Sequence, residues 1–285
     1  MLDLSIITVN WNVKEALREN LARLFSLQDG VSREVIVVDN ASHDGSIAML
    51  REHFPNILLI ENTWNAGFAY AVNQGLKVAQ GRNILLLNPD MCVAEGALTK
   101  TVEVLERDTR VGVVGGSLTR VDGSRAPSVR RDPAWRDQLA ILLKIPHVMP
   151  SIICAYRCEA FDYRVTQSVE QVRGSYFAFR KELIDVVGAF DEGFFLWFEE
   201  VDFCKRVRRA GYRVEYHADI EAIDGVGRSF AQVSVARKQR MLSQSLLRYF
   251  RKWHPWWQTA LVGVAAPVAL TAGVCADVLH VHSRV

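Results

Sequence analysis

Residues 34–46, EVIVVDNASHDGS, read as a buried strand running out into a polar loop and then into a helix start. Glu34 to Val38 is a β-branched apolar run with no polar alternation, as burial on both faces of a sheet requires. Asp39-Asn40-Ala41-Ser42 then breaks the run, and a helical period begins at Ser46 and continues to Phe54. Strand-like runs recur at Leu4 to Val9, Ile57 to Ile60, Ile84 to Leu87 and Val111 to Val114. Between them lie helical patterns at Val13 to Ser26, Ala69 to Ala79 and Glu95 to Arg107. Strand and helix in this alternation specify an α/β fold, a mostly parallel sheet flanked by helices.

In such sheets ligands gather beyond the carboxyl ends of the strands. The segments there are polar: Thr8-Val9-Asn10-Trp11-Asn12, Asp39-Asn40-Ala41-Ser42, Asn62 with Asn65-Ala66-Gly67, and Asn88-Pro89-Asp90. Asn and Asp also serve simply as turn formers, which accounts for any one of these loops better than for all four together. No G-x-G-x-x-G follows the first strand and no G-x-x-x-x-G-K-[ST] occurs, so a bound nucleotide would rely on side chains and a metal. The pair Gly115-Gly116 is expected to serve close packing.

Composition narrows the class. The chain has 285 residues, 49% of them hydrophobic, enough for a substantial core and against disorder. With 34 Lys and Arg against 32 Asp and Glu, the net charge of +2 argues against a protein that coats nucleic acid. Cys92, Cys154, Cys158, Cys204 and Cys275 are odd in number and form no C-x-x-C pair, as expected of reduced thiols. Asp3 leads straight into an apolar run, without the basic region of a secretory signal.

Two acidic sites stand out. Asp90 follows Ile84 to Leu87 and Pro89; a carboxylate there is either a turn former or a ligand for a hard divalent cation. The second lies in GAFDEGFFLWFEEVD, residues 188–202. On a helical wheel Phe203, Val207 and Ala210 share a face, Glu200 leans toward it, and Lys205, Arg208 and Arg209 point to water. Acids in a first helical turn complement the helix dipole, which suffices for Glu199 and Asp202. It does not explain the inward direction of Glu200, beside Phe194, Phe195, Trp197 and Phe198, where withdrawal from water would raise its pKa and suit a general base.

SIITVNWN (5–12), VIVVDNASHDGS (35–46), NAGFAYAVNQG (65–75), LLLNPD (85–90) and RGSYFAFRKELIDVVGAFDEGFFLWFEEVDFCKRVRRAGYRV (173–214) together resemble the inverting nucleotide-sugar glycosyltransferases of family 2, GT-A fold, in their rhamnosyltransferase-like branch. The resemblance covers roughly residues 3–230. It implies that Thr8, Asn10 and Trp11 line a base pocket, that Asp39 bonds the base, and that Asn65, Gly67 and Asn73 border the nucleoside and sugar. Asn88-Pro89-Asp90 stands where the family has D-x-D, making Asp90 a ligand for Mg²⁺ or Mn²⁺. Glu199-Glu200 matches an acidic pair whose second member is the catalytic base. Gly174 and Ser175, with Trp197, Glu199 and Asp202, would face donor sugar and acceptor. Two positions depart from the pattern: Glu200 replaces the usual Asp, one methylene longer, and Asp224 stands in the stretch 223–229 that tends to carry a His, where it is either an oxygen ligand for the metal or a loop acid. The implied activity is transfer of a sugar, rhamnose or a related hexose, from a nucleotide-diphosphate donor to a saccharide or polyprenyl-linked saccharide, with inversion. The rivals are a catalytically degenerate scaffold subunit and a nucleotidylyltransferase; the latter normally has a basic glycine-rich loop after strand one, which Val9-Asn10-Trp11-Asn12 is not.

The C-terminal fifth differs in character. No acid occurs between Asp224 and Asp277, while Arg228, Arg237, Lys238, Arg240, Arg248, Arg251 and Lys252 precede Trp253, Trp256 and Trp257 and an uncharged run to Ala276. Residues 256–276 are long enough to cross a bilayer, to lie in its interface or to pack as a core helix, and Pro267 interrupts them. The segment Pro133 to Tyr156 reads as an amphipathic helix over the sheet or as a second membrane-touching element. The expected organisation is a transferase domain at 1–230 and a basic helical extension at 231–285, placed at the cytoplasmic face of the cell membrane.

Overall fold

A computed structural model describes residues 2–225 and 232–282, with side chains to Val274. Arg228, the stretch beyond Gly225 aligned above, the expected boundary at 230/231 and the side chains of Cys275 and Ala276 lie outside the described residues. The first half alternates as expected: β1 (Leu4–Asn10), α1 (Lys14–Ser26), β2 (Arg33–Asp39), α2 (Ser46–His53), β3 (Leu58–Glu61), α3 (Phe68–Val78), β4 (Asn83–Leu87), β5 (Met91–Val93), α4 (Ala97–Arg107) and β6 (Val111–Arg120). Short strands β7 (Arg125–Ala126) and β8 (Val129–Arg130) lead to α5 (Trp135–Leu142), two 3₁₀ turns and α6 (Cys154–Arg157). Then come β9 (Gln167–Val169), β10 (Gln171–Val172), β11 (Tyr176–Arg180), α7 (Leu183–Val187), α8 (Glu199–Arg209), β12 (Arg213–Asp224), α9 (Val235–Trp253) and α10 (Trp256–His282).

The main sheet runs β3-β2-β1-β4-β11-β6-β12-β5. Strands β3, β2, β1 and β4 are parallel, but β11 enters antiparallel to both β4 and β6, so the sheet is mixed toward its C-terminal side. Period-2 alternation divides the strand side chains between two cores. Leu4, Ile6, Val35, Val37, Leu85 and Leu87 face α1, α2 and α4, whereas Ile7, Ile36, Val38, Ile84 and Leu86 face α3 and α8. The glycine pair in β6 does serve packing: a Cβ on Gly115 would stand 2.5 Å from Val172 and one on Gly116 2.5 Å from the Ile220 carbonyl.

A third core joins α5, α8, α9 and α10 through Leu142, Phe198, Val201, Leu246, Tyr249, Phe250, Val262 and Ala269. The wheel drawn for α8 is therefore incomplete. Val201 and Asp202 are buried because the C-terminal helices cover a second side, Lys205 and Arg208 reach Asp132 instead of pointing freely to water, and Ala210 is exposed. Helix α10 buries Val262, Ala265 and Ala269 while Trp256, Val264 and Val268 are 81%, 77% and 52% exposed. It is the one helix among the described residues long and apolar enough to cross a membrane, and that rests on length and composition alone.

Candidate active site

The loops beyond β1, β3 and β4 meet the 173–175 and 195–200 segments and the start of α9 around a cavity of about 250 Å³. Trp11, Asn65, Gly67, Asn88 and Asp90 line it from the N-terminal half. Gly174, Ser175, Trp197, Glu199, Glu200 and Asp224 line it from the C-terminal half. Asp90 and Glu200, 110 positions apart along the chain, thus share one cleft.

Backbone bonding fixes the Asp90 turn. Asn88 N–H donates to the Ser175 carbonyl at 3.0 Å, Asn20 Nδ2 donates to the Asn88 and Met91 carbonyls, and Gly225 N–H donates to the Asp90 carbonyl at 2.8 Å. Strand β12 pairs Asp224 with Met91 of β5, which brings Asp224 beside Asp90. Asp224 is buried, and its Oδ2 lies 2.7 Å from Nη1 of Arg173 in an ion pair. Among the described residues no group of three or more His, Cys, Asp and Glu side chains is assembled for a metal. Two carboxylates with oxygen donors still fit Mg²⁺ or Mn²⁺, which commonly take one or two protein carboxylates and complete their shell with substrate phosphates and water.

The opposite wall is strained. Trp197 and Phe198 both adopt left-handed backbone conformations, φ 64° and 71°, directly before α8, a costly arrangement for bulky residues. Here it turns the chain so that Glu199 and Glu200 open the helix at the cavity wall. Gly67, at φ 88°, presses against the Phe195 backbone, and Phe68 N–H donates to the Phe195 carbonyl at 2.7 Å. Oε2 of both Glu199 and Glu200 is buried without a hydrogen-bond partner among the described residues. Burial raises the pKa of both acids, and repulsion from Glu200 raises that of Glu199 further. Arg130 and Arg173 pull Glu200 partly back down.

Several expected site residues stand behind the wall. Thr8 is fully buried in β1. Asn10 Nδ2 donates to Asp39 Oδ2 at 2.7 Å, and Asp39 Oδ1 accepts from Ser42 N–H, so this pair stitches the ends of β1 and β2. Asn73 clamps Phe190, donating to its carbonyl at 2.8 Å and accepting from its N–H at 3.0 Å, and so holds the aromatic loop from the rear. Asp202 faces α9: it pairs with Arg206 and Lys252 and accepts from Trp253 Nε1 at 2.8 Å. Conversely, Asn40, Arg173, Val233, Arg237 and Met241 line the cavity. Asn40 was visible as a strand-end residue, and Arg173 adjoins Gly174, but Val233, just before α9, and Arg237 and Met241 within it carry no sequence signal that would place them here.

The sequence profile described as Glycosyl transferase family 2 matches residues 5–183, more than half of the chain. The chain is a family 2 glycosyltransferase. This glycosyltransferase is 24% identical over 270 residues, 90% of its length and 87% of the relative's, to N-acetylglucosaminyl-diphospho-decaprenol L-rhamnosyltransferase of Mycobacterium tuberculosis. In structure it is similar to the mannosyltransferase PcManGT of Pyrobaculum calidifontis, solved with GDP-Man and Mn²⁺, with TM-score 0.59 and 21% identity over 97% of this chain and 76% of that one. Residues 1–349 of S. aureus TarS give TM-score 0.55 at 16% identity, covering 88% and 72%. The glycosyltransferase has the GT-A fold of these neighbours, with a C-terminal apolar helix.

Proposed function

We propose that this enzyme transfers a hexose, rhamnose or a close relative, from a nucleotide-diphosphate donor to a polyprenyl-linked saccharide at the cytoplasmic membrane face, inverting the anomeric configuration. The observation that carries the reading is the shared cleft of Asp90 and Glu200, with a Glu200 carboxyl whose Oε2 has no hydrogen-bond partner among the described residues. The named acceptor of the mycobacterial relative, a diphospho-decaprenol sugar, supports the acceptor class. The exposed apolar face of α10 supports the location.

Glu200 accepts the proton of the acceptor hydroxyl as that oxygen bonds to the anomeric carbon and the bond to the donor diphosphate breaks on the opposite side. Its pKa, raised by burial, makes the carboxylate a stronger base than an exposed one. Gly174 leaves space beside it, since a Cβ there would stand 3.6 Å from Glu200 Cβ and Cγ. Trp197 and Phe195 line the same cavity and would wall the reacting centre from water. Asp90 and Asp224 would hold the divalent cation, which when bound supplies positive charge beside the departing diphosphate. Trp11, Asn40 and Asn65 would contact the nucleoside. Asn10, Asp39 and Asn73 support these contacts from behind.

The test is turnover: the purified chain with Mg²⁺ or Mn²⁺ and a panel of nucleotide sugars should release nucleoside diphosphate, faster with acceptor present. Donor binding without hydrolysis or transfer, for every donor and acceptor tried, would favour a scaffold subunit instead.

A further inference from the structure

Glu200 also borders a second, larger cavity of about 790 Å³, and Arg173 and Trp197 line both. Four arginines, Arg120, Arg130, Arg157 and Arg173, line the second cavity, against Glu159 and Glu200. They come from separate elements: the end of β6, β8, the end of α6 and the segment before β11. Their positive charge is only partly answered. Arg157 reaches Glu159 at 3.9 Å, Arg173 pairs with Asp224, Arg120 bonds Ser124 and the Arg125 carbonyl, and the Arg130 guanidinium lies 5.8 Å from the centre of the Tyr156 ring. Arginines converging from several elements suit an oxygen-rich polyanion, because each guanidinium offers a planar fork of donors.

Helix α5 separates this cavity from an apolar groove. Gln138 and Ile141 face the arginines, whereas Leu139 and Leu143 join Trp256, Leu261 and Val264 of α10 in a groove whose lining is almost wholly apolar. Between α5 and α6 in the chain, Val148 is 90% exposed and Met149 54%. A cationic cavity that touches Glu200 and adjoins an apolar strip matches the layout of one amphiphile: sugar, then diphosphate, then hydrocarbon.

We propose that this arginine-lined cavity binds the diphosphate of a polyprenyl-diphosphate-linked acceptor, with the polyprenyl chain leaving along the α5/α10 groove and the sugar hydroxyl presented to Glu200. The assignment deepens the transferase reading and rests on it for the identity of the sugar end. The diphosphate site differs from the donor's in needing no metal, because guanidinium groups supply its charge.

Farnesyl diphosphate is the probe, titrated calorimetrically into the full chain in detergent with excess EDTA, which withholds cation from the donor side. Binding should persist in EDTA, and inorganic pyrophosphate should compete weakly. Farnesol should bind at least about tenfold less tightly. Arg130→Gln and Arg157→Gln, both at exposed positions, should each weaken farnesyl diphosphate about tenfold while leaving Mn²⁺-dependent binding of a nucleoside diphosphate unchanged. Circular dichroism on the same samples reports their folding, and Arg120→Gln is the third variant should either fail to fold. Wild-type affinity in all folded variants, loss of binding in EDTA, or equal affinity for farnesol would each overturn the assignment. None of these readouts needs turnover, so an inactive enzyme with an intact lipid-diphosphate site would sink the transferase reading and leave this one standing.

Discussion

Gly174 lies flat against Glu200: a Cβ built on it would sit 3.6 Å from Glu200 Cβ and Cγ and 3.8 Å from Cδ. That is ordinary contact, so Gly174→Ala should fold with an almost unchanged melting temperature and lose transfer only several-fold. Gly174→Leu should fill the approach to the carboxyl and abolish transfer while donor binding survives. A fully active Gly174→Leu enzyme would mean that the acceptor does not pass this point.

Glu200→Gln keeps the shape and removes the base. Transfer should fall by about 10²–10⁴-fold with donor affinity nearly intact, as measured by steady-state kinetics and nucleotide titration. In the wild type, kcat/KM should rise with pH and level off above an inflection that lies higher than 4.5, the ordinary glutamate value, because burial raises the Glu200 pKa. Full activity in Glu200→Gln would remove the residue from the chemistry.

Stability should move the opposite way with pH. A carboxyl whose pKa is raised in the fold favours the folded state while protonated, and that contribution is lost as pH climbs from the unfolded value through the folded one. Glu199 is raised by burial and by Glu200. Glu199→Gln should therefore melt higher than wild type at neutral pH, with the advantage vanishing below the ordinary glutamate range. Thermal melts across the acid limb would show it, and a variant less stable at neutral pH would contradict it.

Asp90→Ala should weaken Mn²⁺-dependent donor binding at least about tenfold and leave metal-free binding of the nucleoside unchanged. Equal Mn²⁺ dependence in wild type and variant, read by titration, would move the cation elsewhere.

Asp202 makes a structural prediction of a different kind. It is fully buried, and Arg206, Lys252 and Trp253 all converge on its carboxylate. Asp202→Ala leaves those donors unmatched and should cost about 3–5 kcal/mol in urea unfolding, more than Glu200→Gln, whose Oε2 has no hydrogen-bond partner among the described residues. Gly67→Ala should also destabilise, by about 1–3 kcal/mol, since φ is 88° and a Cβ would meet the Phe195 carbonyl at 2.7 Å.

The first four parallel strands and their helices were legible because each is a continuous apolar run closed by a polar strand end, as in Glu34 to Asp39. Strands β11 and β12 were harder to see. Tyr176 to Arg180 is short and aromatic, and its antiparallel insertion between β4 and β6 follows from pairing partners far away in sequence. Asp90 and Glu200 were legible through local context and Gly174 only through the family resemblance, and the structure brings all three to one cavity. Asp202, which the resemblance set toward sugar and acceptor, faces α9 instead, and a wheel of α8 shows which side is apolar but not that Lys252 and Trp253, some fifty residues on, cover another side. The same blindness hid Val233, Arg237 and Met241 from the site. It also hid the pairing of Arg248 and Lys252, which read in sequence only as part of a basic run, with Asp191.

Helix α9 sends Arg237 and Met241 into the cleft and Lys252 and Trp253 onto Asp202, while its far flank supports α10. Trimming the chain before α9 to obtain a more tractable protein would thus unroof the cleft shared by Asp90 and Glu200 and take Lys252 and Trp253 away from the buried Asp202. The last helix and the cleft are mechanically one piece: Val262 and Ala269 of α10 share a core with Leu246 and Phe250 of α9 and with Phe198 and Val201 beside Glu200, so a force on α10 reaches the helix that carries Glu200.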